Sequence, residues 1–369
     1  MTLFYLYSVV FIVFSVISFF FIDPNFIYLR HLYTGASSLN RLPLTVIYVI
    51  LISFLFLIHY FILKRASSLD LKKIKKILIV PLIGVLSYPA MLSYDIFNYI
   101  ATAKVMFFRW ENPYLVMPIE FINDPVLLFT RAANKIALYG PAWILVTGLP
   151  FILSLGNYLI SIVLLKILVC AFFFGALFII WKLTKNYYSV LFLGTNPLVV
   201  VETFLSGHND IVMMFFALLS IYSLKNKKIV IAVACLLISI LIKYATIFLV
   251  PLFIYYIYQR LRRKQINWDR FYLLGFFLMF GVFLLSPLRE ELYPWYSIWF
   301  IVFATLIPSK IIKTFVVFLS LGMMLRYIPY MYVGDYLNWM PGVKSILTIA
   351  PTLLFLIYLW LKKSFRALL

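Results

Sequence analysis

An all-α polytopic membrane protein is the fold class this sequence predicts, and three observations predict it. The chain of 369 residues is 65% hydrophobic and only 12% charged, whereas a soluble domain is nearer half apolar and a quarter charged. Its apolar residues fall in runs of membrane-spanning length. Its cations gather between those runs, as cytoplasmic loops require. The net charge of +20 would suggest nucleic acid in a soluble protein; placed between apolar runs it reads as loop charge, and no nucleic-acid partner is expected. The lipid bilayer is the expected surrounding, with Phe and Tyr (37 and 27) suited to lipid-facing surfaces and interfacial belts.

The elements follow in order. The run from Thr2 to Ile22 lacks a basic leader and a small-residue cleavage site, and it is too long for a signal-peptide core. It reads as an uncleaved transmembrane helix. Further runs lie near 44–63 and 74–92. The loop between them holds Lys64, Arg65, Lys72, Lys73, Lys75 and Lys76 against Asp70, so it is expected in the cytoplasm, together with the N-terminus. The segment after the third run, about 93–157, is then an outer loop. Its first part, 93–140, is the longest weakly hydrophobic stretch and balances four cations against Asp95, Glu111, Glu120 and Asp124. Within Asp95–Phe108, apolar residues recur at helical spacing, which predicts juxtamembrane helices lying on the outer face.

Later basic loops are Lys182/Lys185, Lys225/Lys227/Lys228, Arg260/Arg262/Arg263/Lys264, Lys310/Lys313 and Lys362/Lys363/Arg366. Placing all of them inside requires a dipping segment at 141–155, a full span at 158–181 and a tight pair of short crossings over 229–258. About twelve transmembrane helices result, with both termini cytoplasmic and one integral-membrane domain over 1–369. Cys170 and Cys235 sit inside apolar runs and read as core or lipid-facing residues. No His/Cys spacing matches a zinc site.

Carboxylates are costly in a membrane, so acids held at its edge mark function. In this topology Asp95, Glu111, Asp124, Glu202, His208, Asp210, Arg289, Glu290, Glu291, Arg326 and Asp335 all fall on the outer side. Cations and acids at one face suit a lipid-phosphate substrate: cations hold the phosphate and an acid handles protons.

The ordered motifs resemble a family. Asp95 with Tyr99, Glu111-Asn112-Pro113-Tyr114 and Tyr139-Gly140-Pro141-Ala142-Trp143 resemble the first outer loop of GT-C membrane glycosyltransferases, closest to polyprenol-phosphate-mannose-dependent mannosyltransferases. Asn196-Pro197-Leu198, Glu202 and Gly207-His208-Asn209-Asp210 are similar to their central motif. Lys243 before Pro251, and Tyr293-Pro294-Trp295-Tyr296, also fit, so the likeness spans about 90–300. Many such enzymes carry two acids in the first loop; here Asp95 stands alone, which sets a metal-bridged donor in question. No cofactor is expected, and a divalent metal is not required if Lys or Arg neutralises a single phosphate.

The resemblance implies transfer of a hexose, mannose by analogy, from a polyprenyl-phosphate donor to an acceptor hydroxyl of a glycan or lipid, with inversion, at the outer face of the plasma membrane. Asp95 is the expected general base. Asn98, Tyr99, Glu111, Tyr139, Glu202, His208, Asn209, Asp210, Lys243, Arg289 and Arg326 are the expected substrate-binding set. Competing readings stay open. Asp95 or Asp210 as helix caps, Lys243 snorkelling to the interface, Trp143 and Trp295 as interfacial anchors, and Glu111 and Glu202 as partners of nearby cations are all consistent with the sequence. A lipid-linked glycan flippase or transporter, or a glycan ligase, is the alternative function.

Overall fold

The computed structural model describes residues 2–288 and 291–368, with side chains from 3 to 362 apart from 289 and 290. Arg289 and Glu290 therefore lie outside the described residues, as do the side chains of Lys363 and Arg366. Among the described residues regular structure is helical throughout. Among the described residues, six helices are long and apolar enough to cross a membrane: Leu3–Phe21, Arg41–Lys64, Tyr158–Thr184, Trp268–Leu288, Lys310–Val333 and Met340–Lys362. Tyr187–Gly194 and Pro197–Leu205 together form a seventh candidate, bent by 58° at its middle. The expected twelve crossings are thus not matched by twelve long helices.

The shortfall has local causes. The 74–92 run is not one helix but an α-helix, Leu71–Ile79, continued by a 3-10 segment, Val80–Leu86. Pro81 withdraws a backbone donor there. A Cβ on Gly84 would lie 2.5 Å from Leu205, so the tightened turn presses against the bent segment. The 229–258 run breaks at Lys243, whose backbone is extended (φ −155°, ψ 123°) between Ile229–Ile242 and Tyr244–Leu249. The predicted dipping segment appears as Pro141–Leu153, 13 residues long and too short to span about 30 Å of hydrocarbon as a helix.

The helix predicted from Asp95 begins at that residue and runs to Phe107. It does not expose a polar face as a surface-lying helix would. Asn98 and Thr102 are buried with its apolar residues, because it packs on Pro141–Leu153 and on the Tyr158–Thr184 helix.

The basic loops gather at one end. Ala66–Ser68 and Leu71–Ile79 pack on Tyr187–Gly194, Lys313 Nζ sits 4.9 Å from the Tyr188 ring, and Lys225 Nζ donates to the Leu183 carbonyl. The Arg41–Lys64 helix enters this end at Lys64. Toward its other end, Tyr48 donates to the Met324 carbonyl (2.8 Å), two residues before Arg326. Asp95 and its neighbours belong to that second end.

Candidate active site

The site is assembled where four helical runs are interrupted. Asp95 is the first residue of its helix, where a carboxylate meets the positive end of the helix dipole. Its side chain is 27% exposed. Asp95 Oδ2 lies 3.6 Å from Nδ1 of His208, a side chain with no exposure.

His208 is delivered by the bent segment. Val201–Leu205 winds as a π-turn, a form enriched at functional sites. Gly207 then takes φ +75°, and a Cβ there would meet Ile96 at 3.1 Å and Lys166 at 3.4 Å. Glycine thus allows both the left-handed turn and the close approach to the Asp95 helix. The imidazole stacks on Trp295 at 3.9 Å between ring centroids, and Trp295 stacks on Tyr293 at 4.6 Å. The other ring nitrogen, Nε2, lies 3.3 Å from Glu202 Oε2, while Glu202 Oε1 accepts from Tyr327 (2.8 Å). Burial and the nearby Lys243 ammonium push the His208 imidazole well below its ordinary pKa, so it is neutral at pH 7.

Asp210 begins the next helix, Asp210–Lys225, and is fully buried. Lys243 Nζ donates to its Oδ1 at 2.9 Å, and the Trp299 indole donates to the same oxygen. The Lys243 ammonium also lies 4.2 Å from the Tyr296 ring centroid, a cation–π contact. Gly140 permits the break that places Lys243 here: its N–H bonds the Ile242 carbonyl (3.2 Å), and a Cβ would collide with the Leu241 carbonyl. Tyr139, beside it, packs edge-on against Tyr99, and Tyr99 donates to Asn209 Oδ1 at 3.4 Å. Tyr114 donates to the Tyr139 carbonyl (2.7 Å).

The structure therefore brings together Asp95, Tyr99, Tyr139, Glu202, His208, Asn209, Asp210 and Lys243. Asn98 turns elsewhere: its Oδ1 accepts the Ala132 N–H (3.1 Å) and pins the following loop. Glu111 is exposed and follows the far end of the Asp95 helix, roughly 20 Å away by helical rise. Arg326 binds Glu291 (2.8 Å) and Thr348 (3.0 Å), and Lys344 shares the same Glu291 oxygen at 2.9 Å. Arg289 lies outside the described residues. Trp143 and Trp295, compatible with interfacial anchoring in sequence, are buried at 0% and 7% exposure, since each packs into an aromatic cluster.

Several contributors escaped sequence reasoning. Asp23 accepts from Tyr94 (3.0 Å) and Arg131 (3.2 Å), tying the first loop down beside Asp95. Burial pushes the Tyr94 hydroxyl above its ordinary pKa, so it stays a donor. Asp23 does follow an apolar run, the signal that flagged Asp95. Tyr327, Trp299 and Lys344 carry no comparable signal.

Buried polar atoms without a hydrogen-bond partner concentrate in the same segment: Glu202 Oε2, Thr203 Oγ1, Ser206 Oγ, both His208 nitrogens, Asn209 Nδ2 and Asp210 Oδ2. Such atoms are costly unless something satisfies them, and their density suits a polyhydroxylated ligand. Among the described residues, no group of three His, Cys, Asp or Glu side chains is arranged to hold a metal ion.

The MptA_B family, described as the N-terminal domain of alpha-(1->6)-mannopyranosyltransferase, matches residues 10–259. The chain belongs to this mannosyltransferase family, and its apolar helices mark it as a multi-pass membrane protein. No curated protein and no solved structure gives a significant match.

Proposed function

We propose that the protein transfers mannose from a polyprenyl-phosphate donor to a glycan or lipid hydroxyl, with inversion, at the outer face of the plasma membrane. Asp95 is the general base. One observation carries the assignment: of the three acids around the His208 loop, Asp95 alone is partly open, at 27% exposure, whereas Glu202 and Asp210 are fully enclosed. A base must reach the proton it takes.

In this mechanism the acceptor O–H proton passes to Asp95 as the oxygen attacks the anomeric carbon. The bond from that carbon to the phosphate oxygen breaks on the opposite face, and the lipid phosphate leaves with added negative charge. Cations aimed at that charge lower the barrier. Lys243 already neutralises Asp210, whereas Arg326 and Lys344 share one carboxylate, Glu291, and so, among the described residues, keep one positive charge in surplus. This favours Arg326 with Lys344 for the phosphate, and Lys243 for holding the sugar-side loop. Asn209 offers its unsatisfied amide group to sugar hydroxyls. Neutralisation by Arg and Lys makes a metal unnecessary. Gathering of the basic loops at the opposite end supports cytoplasmic termini.

The test is purified protein with radiolabelled polyprenyl-phosphate mannose and mannoside acceptors in EDTA, comparing wild type with Asp95→Asn. Metal-independent transfer by wild type alone is expected. Transfer by Asp95→Asn at the wild-type rate removes the base. No transfer by wild type, with other lipid-phosphate hexoses failing too, turns the reading to a flippase or ligase.

A further inference from the structure

Asp95, His208 and Glu202 form a line whose proton count is constrained. One imidazole stands between two carboxyl groups, at 3.6 Å from Asp95 Oδ2 and 3.3 Å from Glu202 Oε2. A neutral imidazole carries one N–H and one bare nitrogen. If both acids were ionised, the bare nitrogen would face a carboxylate with no proton between them, in a place closed to solvent. That is a repulsive contact between lone pairs in a low-dielectric setting. Separations of this size are common before substrate tightens a catalytic site.

The remaining surroundings decide where the extra proton resides. Glu202 is fully buried and feels the carboxylates of Asp95 and Asp210. It is also faced by the Tyr327 hydroxyl, which donates to Oε1, by the Ser206 hydroxyl, and by Tyr48 on the Arg41–Lys64 helix. The nearest ammonium, Lys243, is committed to Asp210. Lys166, packed under Gly207, spends its ammonium on the carbonyls of Gly84, Val85 and Ser87. No cation contacts Glu202 among the described residues. The Lys243 charge also disfavours an imidazolium at His208.

We propose that Glu202 is a neutral acid whose O–H points at His208 Nε2, fixing the single imidazole proton on Nδ1, where it holds the Asp95 carboxylate for proton transfer. Glu202 and His208 are thus positioning residues, and neither binds sugar. Glu202 donates to Nε2, Nδ1–H donates to Asp95 Oδ2, and the Asp95 carboxylate, partly exposed, accepts the acceptor's proton. The proposal rests on Asp95 being the base, and it assigns the tautomer, the protonation state and the orientation that make it one.

Infrared spectroscopy of the full-length protein tests the protonation state without any substrate. Wild type minus Glu202→Gln is expected to show the carbonyl stretch of a protonated carboxylic acid, persisting across about pH 6 to 8. Its absence in correctly folded protein overturns the proposal. Kinetics test the positioning. Glu202→Gln keeps a donor toward Nε2 and should retain kcat/KM within about 3-fold, whereas Glu202→Ala should lose about 10-fold or more. His208→Ala should lower kcat/KM by about 10- to 100-fold, the range for removing a hydrogen bond to a charged group. It should also move the acidic limb of the pH profile to higher pH, which a merely structural role would not do. Equal inactivity of both Glu202 variants, or an unmoved acidic limb in His208→Ala, overturns it. A fully active Asp95→Asn would instead sink the base assignment and leave the infrared result standing.

Discussion

Asp95 and Asp210 look alike in sequence: each follows an apolar run, and each is the first residue of a helix. Their surroundings differ in two respects. Asp95 is partly open and faces a neutral imidazole. Asp210 is sealed, paired with Lys243 and bonded by the Trp299 indole. An acid that must take a proton from a ligand needs access. An acid sealed beneath aromatic rings and holding an ammonium lacks it, and its job is to keep the broken 229–258 run in place. Position in the chain therefore flags both acids, and exposure separates chemistry from scaffolding.

The contrast is broken or sharpened most by replacing each acid in turn. Asp95→Asn is expected to lower kcat/KM by roughly 10²- to 10⁴-fold, the usual contribution of a general base, with an unchanged melting temperature. Asp210→Asn should do the reverse, destabilising the fold by about 3–5 kcal/mol as Lys243 loses its counter-charge, measured by thermal unfolding in detergent. If Asp210→Asn melts normally yet cannot transfer, the two acids are not divided as argued. The double variant Asp210→Asn/Lys243→Met removes both charges, and it should recover much of that loss relative to Asp210→Asn alone.

A pH titration of stability is the next largest effect. Because burial depresses the His208 pKa below its ordinary 6.5, the unfolded chain binds that proton first. The stability contributed by neutral His208 is therefore full above about pH 6.5 and lost as pH falls below it, by at most about 1.4 kcal/mol per pH unit. The slope between about pH 6.5 and 5 should flatten in His208→Gln; an equal slope in both proteins would assign it to other groups. Gly207→Ala should cost about 1–2 kcal/mol for the left-handed backbone and reduce transfer modestly, as the loop shifts from Ile96. Asp70→Ala is the baseline. The exposed Asp70–Lys73 pair sits at the basic end, where Asp70 also caps the Leu71–Ile79 helix, so its loss should lower melting slightly through the lost cap and leave transfer unchanged.

Much of the local plan was legible because polar residues inside apolar sequence are few. The starts of the Asp95 and Asp210 helices, the break at Lys243 and the convergence of the first-loop and central motifs all follow from such interruptions. Pairing was not legible. Nothing in the sequence tells that Lys243 chooses Asp210 over a ligand, or that Tyr327 reaches Glu202 across 125 positions. The expected count of crossings is not matched by long helices for a related reason. Hydropathy registers that 74–92 is apolar, but not that Pro81 and Gly84 interrupt its helix. Trp143 and Trp295 were misleading because an indole suits a membrane interface and an aromatic core equally well.

Lys166 has a consequence for how the molecule is made. Its ammonium, fully enclosed, closes the carbonyl end of the Val80–Leu86 turn through Ser87 at 2.8 Å. Taken singly, a helix bearing a central lysine is a poor solute in lipid, and so is a turn with open carbonyls. Joined, each removes the other's defect. The two segments are separated by about 70 residues of chain, so each is suited to the bilayer only in the company of the other.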